Sequence, residues 1–581
     1  MKKYAGYELN FSEEELTKRL EYQTKTIHLL DEKAQEYQQL SDGDKKTLKN
    51  LILAAKIIND VYLQQDHALN LELKKALEAS VSEQDTHAGR ALELFNSLNG
   101  VLGLDRTSTV VKIFKDVEEN DGKNFYPQDL SAEEFQSILI KLIKNGQKDE
   151  VENILNTRTM VVRDDITGLK GIDYTEYFAT ELNAAADKIE EASKTSSHKV
   201  FAEYLVKQAA ALRTNDIELD CEADRVWAGL QGAPIEFTIS REQYEDNFSG
   251  VIYDNEELKK LLAENNVDCQ TKDSIGVRVG LVNEQGTEDL QDYKKYLPEL
   301  AGLMPFADKY ESRISSDNDD AKQAMADADI VYLSGDYAAC RGGVTLAQNL
   351  QNDDKLSVKR GHGRRNIYHR QVRMCFDPAK VQKRLDAVLD KSLHSNYKVE
   401  SDHDFTIGHE NVHSLGPADC KDKLGVFSNI IEEAKADMGS LAFLDYFVEK
   451  GKYTKEYRDI ILTTWSVDNQ LKAKPKLEQA HRVRSVMQTN YFVENNAVKI
   501  SDDGIISVDL EKMVPTAKKM LEEVIKIQLS RNPDEAKAFI DKYFVWNEKL
   551  EKVAENISKI DDTLHIKLNT PLADYLLISD I

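Results

Sequence analysis

The feature that most constrains the fold is the segment His409-Glu410-Asn411-Val412-His413, followed later in the chain by an acidic segment from Glu432 to Asp437. Residues four positions apart lie on the same face of an α-helix, so His409 and His413 can direct ring nitrogens toward one point. A carboxylate of the acidic segment can reach that point only if a second helix packs against the first. The sequence therefore predicts two packed helices whose polar side chains face each other.

Local signals set the expected ends of these two helices. Gly416-Pro417 should stop the first helix, because proline has no backbone N–H and glycine favours the end of a helix. Ser428 or Asn429 can cap the second helix, and Gly451 can end it. The second helix also carries an apolar face that should be buried, formed by Ile430, Ile431, Ala434, Met438, Leu441 and Phe447.

Two histidines and one carboxylate form the donor set of a catalytic zinc site, in which water takes the fourth position. We expect His409, His413 and Glu433 to bind one Zn²⁺ per chain. Asp437 then lies one helical turn after Glu433 on the same face, where it can hydrogen-bond to a ligand histidine. Glu432 is the nearest alternative ligand. Another interpretation of the pattern is two buried core histidines beside a solvent-exposed acidic helix.

Glu410 and His481 are the candidate catalytic side chains. Glu410 lies one position off the ligand stripe, where a carboxylate can reach a water on the metal without binding the metal itself, as the general base of a metallopeptidase does. His481 lies on a helix expected from Leu477 to Phe492. A lone histidine on a helix is usually structural, but His481 is also a candidate donor to the oxyanion that forms during amide hydrolysis.

Charge and apolar pattern exclude several functional classes. The formal net charge of the 581 residues is −26, which opposes binding to nucleic acids and to anionic membranes. The N-terminus has no apolar run typical of a signal peptide, and no stretch is apolar enough to span a membrane. The five cysteines are scattered without a Cys-x-x-Cys pair, which is typical of free thiols in a reducing compartment. We therefore expect a cytoplasmic protein.

The periodicity of apolar residues divides the chain into helical and β-rich parts. The part up to about residue 215 and the part after the zinc segment are predicted to be helical. Between them, short β-like runs at 233–239, 276–282 and 330–333 are bounded by Gly, Asp or Asn. These runs should pair into a small sheet or barrel. The sequence therefore predicts a mostly helical α+β fold.

One basic island stands out in this acidic chain, at residues 359–365 and continuing through Arg370 and Arg373. Its glycines do not have the spacing of a phosphate-binding loop. The island can hold a carboxylate of a substrate or pair with neighbouring acidic side chains. We favour pairing with neighbouring acids.

Several motifs occur together along the chain. His409-Glu410-x-x-His413 precedes the segment from Glu432 to Asp437 and the pair Ala480-His481. The segment from Arg241 to Asp246 fits a Glu-x-Tyr-x-Asp pattern, and the segment from Ser334 to Asp353 is similar to one that contains Asn-x-Pro-Asn. Together these motifs resemble the dipeptidyl peptidase III family of zinc exopeptidases, especially its shorter branch with Nudix-fused relatives. No Nudix box is present.

The resemblance implies a fold of two lobes about a wide cleft. One lobe would be helical and bear the zinc ion, and the other would contain a small five-stranded β-barrel plus helices. By this division, residues 1–260 with 331–378 and about 561–581 form the lower lobe. Residues 261–330 with 379–560 form the upper, catalytic lobe.

The resemblance also implies roles for individual residues. His481 and Tyr244 would steady the tetrahedral intermediate. Glu242, Asn349 and Asn352 would hold the free amino terminus of an oligopeptide substrate, since carboxylate and amide oxygens are what an ammonium group requires. The implied activity is release of dipeptides from the amino terminus of oligopeptides.

This chain departs from the better-known members of that family. Those members have one more residue between the two histidines, and they have Glu-Glu-Cys-Arg-Ala-Glu where this chain has Ala434, Lys435 and Asp437. Gln351 replaces the proline of the Asn-x-Pro-Asn segment. The length of the released peptide therefore stays open, with dipeptides first and single residues, as for an aminopeptidase, second. A zinc-stabilised peptide-binding or regulatory protein without turnover is a further alternative. The sequence predicts no oligomeric state.

Overall fold

The structure is a computed structural model that describes residues 2–242, 246, 248–313, 324–339, 344–350, 365–418 and 420–579. Tyr244, Gln351 and Asn352 lie outside these ranges, as do Cys340 and residues 359–364 of the basic island.

The chain up to Ala228 is mostly helical. The sequence predicted helices up to about residue 215, and the structure adds one more helix beyond that limit. Its helices are α1 (Glu13–Glu21), α2 (Gln35–Gln38), α3 (Asp42–Asp66), α4 (Asn70–Ser82), α5 (Thr86–Leu98), α6 (Ala132–Lys144), α7 (Lys148–Leu155), α8 (Tyr174–Tyr177), α9 (Ala179–Thr195), α10 (Lys199–Thr214) and α11 (Ile217–Ala228). Short strands that the sequence analysis did not predict interrupt them: β1 (Lys3–Tyr4), β2 (Tyr7–Glu8), β3 (Thr24–His28), β4 (Leu102–Leu104), β5 (Val110–Lys112), β6 (Thr159–Asp164) and β7 (Gly168–Asp173).

A five-stranded sheet forms the centre of the β-rich part. Its strands are β8 (Ile235–Glu242), β9 (Ser274–Asn283), β10 (Met325–Gly335), β11 (Ala347–Leu350) and β12 (Arg365–Tyr368), in the order β11-β12-β10-β9-β8. Neighbours are antiparallel, except for the parallel pair β10 and β12. The three predicted β-like runs lie within or overlap β8, β9 and β10. Helices α12 (Glu256–Glu264), α13 (Glu284–Lys294) and α14 (Leu297–Leu303) lie between these strands in the chain.

The sheet is open within the described residues, whereas the family resemblance implied a closed barrel. Strand β8 pairs only with β9, and the four-residue strand β11 pairs only with β12. Because β8 and β11 share no backbone hydrogen bonds in this part of the chain, both are edge strands.

The rest of the chain is again mostly helical. Its helices are α15 (Arg370–Met374), α16 (Pro378–Val388), α17 (Ser401–His413), α18 (Ser428–Ala442), α19 (Leu444–Glu449), α20 (Lys455–Asp468), α21 (Ala480–Glu494), α22 (Leu510–Ser530), α23 (Pro533–Tyr543), α24 (Glu548–Ile560) and α25 (Pro571–Ile578). Strands β13 (Val498–Ile500) and β14 (Ile506–Val508) form a hairpin, and β15 (His565–Asn569) pairs in parallel with β3. None of the described helices is both long enough and apolar enough to cross a lipid bilayer.

Buried apolar residues form two large clusters. The first cluster contains side chains from α3, α9 and α10 and from strands β8, β9 and β10. The second contains side chains from α17, α18 and α20 to α24. The first cluster therefore includes strand β9, although the division implied by the resemblance assigns residues 261–330 to the other lobe.

The ends of the two ligand helices differ in part from the expected ones. Helix α17 ends at His413, and Gly416 follows with a φ of +95°. The expected cap of α18 at Ser428 or Asn429 is wrong, because a 3₁₀ helix at Lys421–Phe427 runs directly into Ser428, which already has helical dihedral angles. The expected continuous helix up to Gly451 is divided at Phe443 into α18 and α19.

Small residues allow α17 and α18 to approach each other closely. A Cβ atom added at Gly439 on α18 would lie 2.5 Å from Cγ1 of Val412 on α17. A Cβ atom added at Gly408 on α17 would lie 2.3 Å from Oγ of Ser440 on α18. The two glycines therefore set the distance between the helices that carry the predicted ligands.

We expect Gly439→Ala to lower the free energy of unfolding, because Val412 is fully buried and β-branched and cannot turn away. The overpacking cost of about 1–3 kcal/mol is offset by a gain of about 1 kcal/mol from the higher helix propensity of alanine, which leaves a net loss of up to about 2 kcal/mol. Denaturant unfolding measures the change. Gly302→Ala is the matched control, since a Cβ atom there meets no atom within 4 Å. The double variant Gly439→Ala with Val412→Ala should be less destabilised than the sum of the single variants. Additive costs would contradict the proposed contact.

Candidate metal centre and cavity

Helices α17 and α18 bring three predicted ligands together. The Nε2 atoms of His409 and His413 lie 3.1 Å apart. Oε2 of Glu433 lies 3.3 Å from Nε2 of His409, and Oε1 lies 3.9 Å from Nε2 of His413. One ligand atom from each residue lies within 4.8 Å of the others, and all three side chains are buried. This group could hold a metal ion.

The outer nitrogen of each histidine faces a carboxylate. Nδ1 of His409 lies 2.7 Å from Oδ1 of Asp437, and Nδ1 of His413 lies 2.9 Å from Oε1 of Glu432. A carboxylate accepts hydrogen bonds, so each Nδ1 carries a proton and the two Nε2 atoms, 3.1 Å apart, face each other beside Glu433. Burial would lower the pKa of His409, but its hydrogen bonds to Asp437 and Glu433 raise it to about 10. A metal ion that binds Nε2 would take the place of a proton.

The spacing of the donor atoms also fits a metal ion. Four donors in a tetrahedron at zinc bonding distances are separated from one another by about 3.3 Å. The distances from Nε2 of His409 to its two neighbours, 3.1 and 3.3 Å, are close to that value. Oε2 of Glu433 is buried and makes no well-aligned hydrogen bond within the described residues. An acceptor atom of this kind is available as a ligand.

Buried cations balance the carboxylates that hold the histidines. Glu432 accepts from Nη1 of Arg313 at 2.8 Å, and Nζ of Lys435 lies 2.8 Å from the same oxygen. Asp437 pairs with Arg484 on α21. Burial by itself would raise the pKa of Asp437, but the charge of Arg484 and the hydrogen bond to His409 lower it below its ordinary value. Asp437 is therefore ionised near neutral pH.

The balancing cations were not predicted from the sequence. Arg484 could have been, because it follows the candidate catalytic residue His481 by three positions and so lies on the same face of the helix. Lys435 lies on the predicted helix but was assigned no partner. Arg313 is 119 residues from Glu432, and no local pattern connects the two. Glu432, the alternative ligand, instead contacts the outer nitrogen of His413.

Glu410 lies beside the three candidate ligands and lines a cavity of about 610 Å³. Its side chain is buried, and the backbone N–H of Asn349 donates to it. Burial raises the pKa of Glu410 to about 8, while the nearby charge of His409 opposes that rise. A carboxyl group with a pKa near neutrality can both accept and release a proton at neutral pH.

Several parts of the chain besides the ligand group line the cavity. It is lined by α17, by the segment 344–350 that includes β11, by residues 465–472 and by the start of α21. His481 lies at the start of α21, where its side chain is 57% exposed. Its Nδ1 atom lies 3.0 Å from Oε2 of Glu433, so the structure brings His481 to the ligand group.

The residues assigned to the substrate's amino terminus are only partly described. Glu242 is the last residue of β8, and Tyr244 and Asn352 lie outside the described residues. Asn349 lines the cavity, but its side chain is buried. Its Nδ2 atom donates to Asn366 Oδ1 at 2.5 Å and to Ser414 Oγ at 2.8 Å. Both amide protons of Asn349 therefore point into the protein.

The described part of the basic island pairs with acidic side chains. Arg365 donates to Glu236 at 3.0 Å in the buried interior. Arg373 lies 2.9 Å from Asp402 and also pairs with Asp468. These arginines are therefore neutralised by neighbouring acids, the interpretation favoured from the sequence.

Several known proteins are similar to this chain in sequence or structure, although no protein-family model matches it. Nudix hydrolase 3 of Arabidopsis thaliana is 23% identical over 599 residues, which covers 93% of this chain and 72% of that protein. Dipeptidyl peptidase III from Caldithrix abyssi has a similar structure, with a TM-score of 0.72 and 24% identity over 95% of this chain and 98% of that one. For dipeptidyl peptidase III from Corallococcus sp. strain EGB the TM-score is 0.78, at 22% identity and 97% coverage of each chain. The chain therefore resembles dipeptidyl peptidase III, as its motifs indicated, and it has the fold of those proteins.

Proposed function

We propose that this protein is a zinc-dependent exopeptidase that removes dipeptides from the free amino terminus of oligopeptides. The observation that carries the proposal is the convergence of two imidazole nitrogens and the carboxylate of Glu433 beside a buried Glu410, all on one cavity. The fold shared with dipeptidyl peptidase III supports a peptidase over other hydrolases.

In this proposal His409, His413 and Glu433 hold the zinc ion. When bound to two histidines and a carboxylate, zinc supplies a water of lowered pKa and a Lewis acid for the peptide carbonyl. Asp437 and Glu432 keep the two rings oriented through the hydrogen bonds to Nδ1.

Glu410 is the proposed general base and acid. Its carboxylate takes a proton from the attacking water and later delivers it to the nitrogen of the leaving amine. The hydrogen bond from the backbone of Asn349 fixes the carboxylate at the cavity wall. No covalent bond between the protein and the substrate is needed.

His481 and Tyr244 are the proposed donors to the oxygen of the attacked carbonyl. The side chain of His481 is exposed to the cavity and lies against Glu433, so its ring is close to the reacting group. Preorganised donors of this kind contribute several kcal/mol to the stabilisation of developing negative charge.

The amino terminus of the substrate is proposed to bind Glu242, Asn349 and Asn352. Strand β11, which carries Asn349, lines the cavity that also contains the metal ligands. The proposed two-lobe division has support in the two large apolar clusters. The cavity is lined by Arg106 and by residues from 336–350 and from 384–561.

We expect Glu410→Gln to lower kcat by about 10²–10⁴-fold while leaving bound zinc in place, because only the proton carrier is removed. Peptide hydrolysis and metal content of the purified variant measure both effects. Glu400→Gln is the control, since Glu400 is exposed at the start of the same helix. Retained turnover in Glu410→Gln would remove the proposed mechanism.

We expect Asp437→Asn to weaken zinc binding by about 10–100-fold, because the ring of His409 loses a charged partner. Competition with a chelator measures the affinity. Asp445→Asn is a matched control: Asp445 also pairs with an arginine, Arg458 at 2.8 Å, but not within the ligand group. Equal zinc affinities of Asp437→Asn and wild type would contradict the role of Asp437.

We expect Glu242→Gln to raise the KM of peptides with a free amino terminus by about tenfold or more, the loss that corresponds to a charged hydrogen bond. Peptides with an acetylated amino terminus should be poor substrates of the wild-type protein. Mass spectrometry of the products distinguishes dipeptides from single residues. An unchanged KM in Glu242→Gln would contradict the amino-terminal site, and release of single residues would contradict the dipeptide proposal.

A further inference from the structure

Four side chains with hydrogen-bond donors lie near one another in the cavity wall: Arg106, Lys472, Gln479 and Arg482, which we name the donor cluster. Arg106 lies in the turn between β4 and β5, and Lys472 follows α20. Gln479 precedes α21, and Arg482 lies in its first turn, next to His481. The donor cluster therefore lies on the same cavity as the ligand group but is built from other parts of the chain.

Ser108 holds the cluster together. Arg482 Nη1 donates to Ser108 Oγ at 2.6 Å, and Nη2 donates to the backbone oxygen of Arg106 at 3.1 Å. Ser108 Oγ in turn donates to Oε1 of Gln479 at 3.0 Å. The backbone N–H of Arg106 donates to Leu564 O at 2.9 Å. This bond fixes the turn against the residue that precedes β15. The donors are thus positioned before any ligand binds.

The cluster carries more positive than negative charge. Asp561 lies 2.9 Å from Nη1 of Arg106 and 3.9 Å from Nζ of Lys472. The nearby Asp105 is buried, and its Oδ1 atom accepts from the backbone of Thr107 and Thr109. Among the described residues, no carboxylate lies within 4 Å of Arg482. The charge of Asp105 acts on Arg482 from a greater distance, so Arg482 is only partly compensated.

Burial makes this arrangement unfavourable without an anion. Desolvation lowers the pKa of Lys472 to about 8, and desolvation together with the charge of Arg106 lowers the pKa of Arg482 to about 10. A bound anion would relieve both effects.

Gln479 provides a second, independent sign of a ligand. Its side chain is 7% exposed, and Nε2 has no acceptor within the part of the chain that the structure describes. Its Oε1 atom is already occupied by Ser108 and by the backbone N–H of Lys476. A buried donor without an acceptor costs free energy, so an acceptor from a ligand would be stabilising.

We propose that the donor cluster binds a carboxylate of the substrate peptide on the leaving-group side of the cleaved bond. This inference rests on the proposed peptidase function. A carboxylate is the anion that peptides carry, and its two oxygens can accept from a guanidinium, an ammonium and an amide together. An ammonium group requires oxygen acceptors. The carboxylate of Asp561 is paired with Arg106, and the backbone oxygens of Asp561 and Thr563 already accept from Nζ of Lys472. The cluster therefore suits the end of the peptide opposite to the amino terminus.

The carboxylate can come from the carboxyl terminus of a short peptide or from an Asp or Glu side chain. The two sources share one chemistry, and matched peptides distinguish them. One pair has the same sequence with a free or an amidated carboxyl terminus. In the other pair both peptides have an amidated carboxyl terminus, and the residue after the cleaved bond is Glu in one and Gln in the other.

The experiment measures these pairs with the wild-type protein and with Arg482→Gln. We expect the wild type to prefer the acid over its amide by about tenfold in kcat/KM, and Arg482→Gln to lose most of that preference. Arg482→Lys should retain part of it. Lys476→Gln is the matched control: it removes the same charge from the same segment, but Lys476 does not line the cavity. Calorimetry of peptide binding to the chelator-treated protein, which should not cleave the peptide, provides a readout that does not depend on turnover.

The outcomes separate the two proposals. If no peptide is cleaved by the wild type, the proposed function fails. Suppose that peptides are cleaved, but a free carboxyl terminus is bound and cleaved no better than an amidated one, and Glu no better than Gln after the cleaved bond. This result would overturn the carboxylate site. A preference that is unchanged in Arg482→Gln also overturns it. Gln479→Glu is a second variant of nearly equal size that places a negative charge in the cluster. It should abolish the preference even if Arg482→Gln does not fold.

Discussion

The candidate metal centre depends on the close approach of α17 and α18. Gly439 against Val412 and Gly408 against Ser440 set the distance between these helices. All three carboxylates that touch the histidines, Glu432, Glu433 and Asp437, belong to α18. A larger side chain at either glycine would separate every carboxylate from its histidine at once. Ligand geometry of this kind must hold to within about 0.5 Å, which explains why the site is built on two packed helices and not on loops.

The second requirement of the site is compensation of buried charge. Isolated carboxylates in the protein interior are costly, so each must have a cation or several donors. Glu432 has Arg313 and Lys435, and Asp437 has Arg484. At the donor cluster, which lines the same cavity, three cations lie beside the carboxylate of Asp561 and the more distant Asp105, so the local charge balance differs from that at the ligand group.

Much of the fold could be predicted from the sequence, because long elements carry a clear periodicity. The helical character of the N-terminal part and strands β8, β9 and β10 follow from local patterns. The seven short strands before α11 were missed, since runs of two to six residues contain too little alternation to identify. The open sheet also differs from the barrel implied by resemblance. Pairing between distant strands is a property of the whole chain and leaves no local signal.

The sequence by itself determined which residue types could form the site: two histidines on one helix face, a glutamate beside them and a later acidic segment. Only the tertiary structure decided how that segment is used. Glu432 and Glu433 are neighbours, and their side chains point about 100° apart around the helix. Packing of α18 against α17, α21 and α22 fixes its rotation, and this rotation brings Glu433 to the Nε2 atoms and Glu432 to the outer nitrogen of His413. The donor cluster likewise exists only in three dimensions, because residues 106, 472 and 482 meet through the pairing of distant segments.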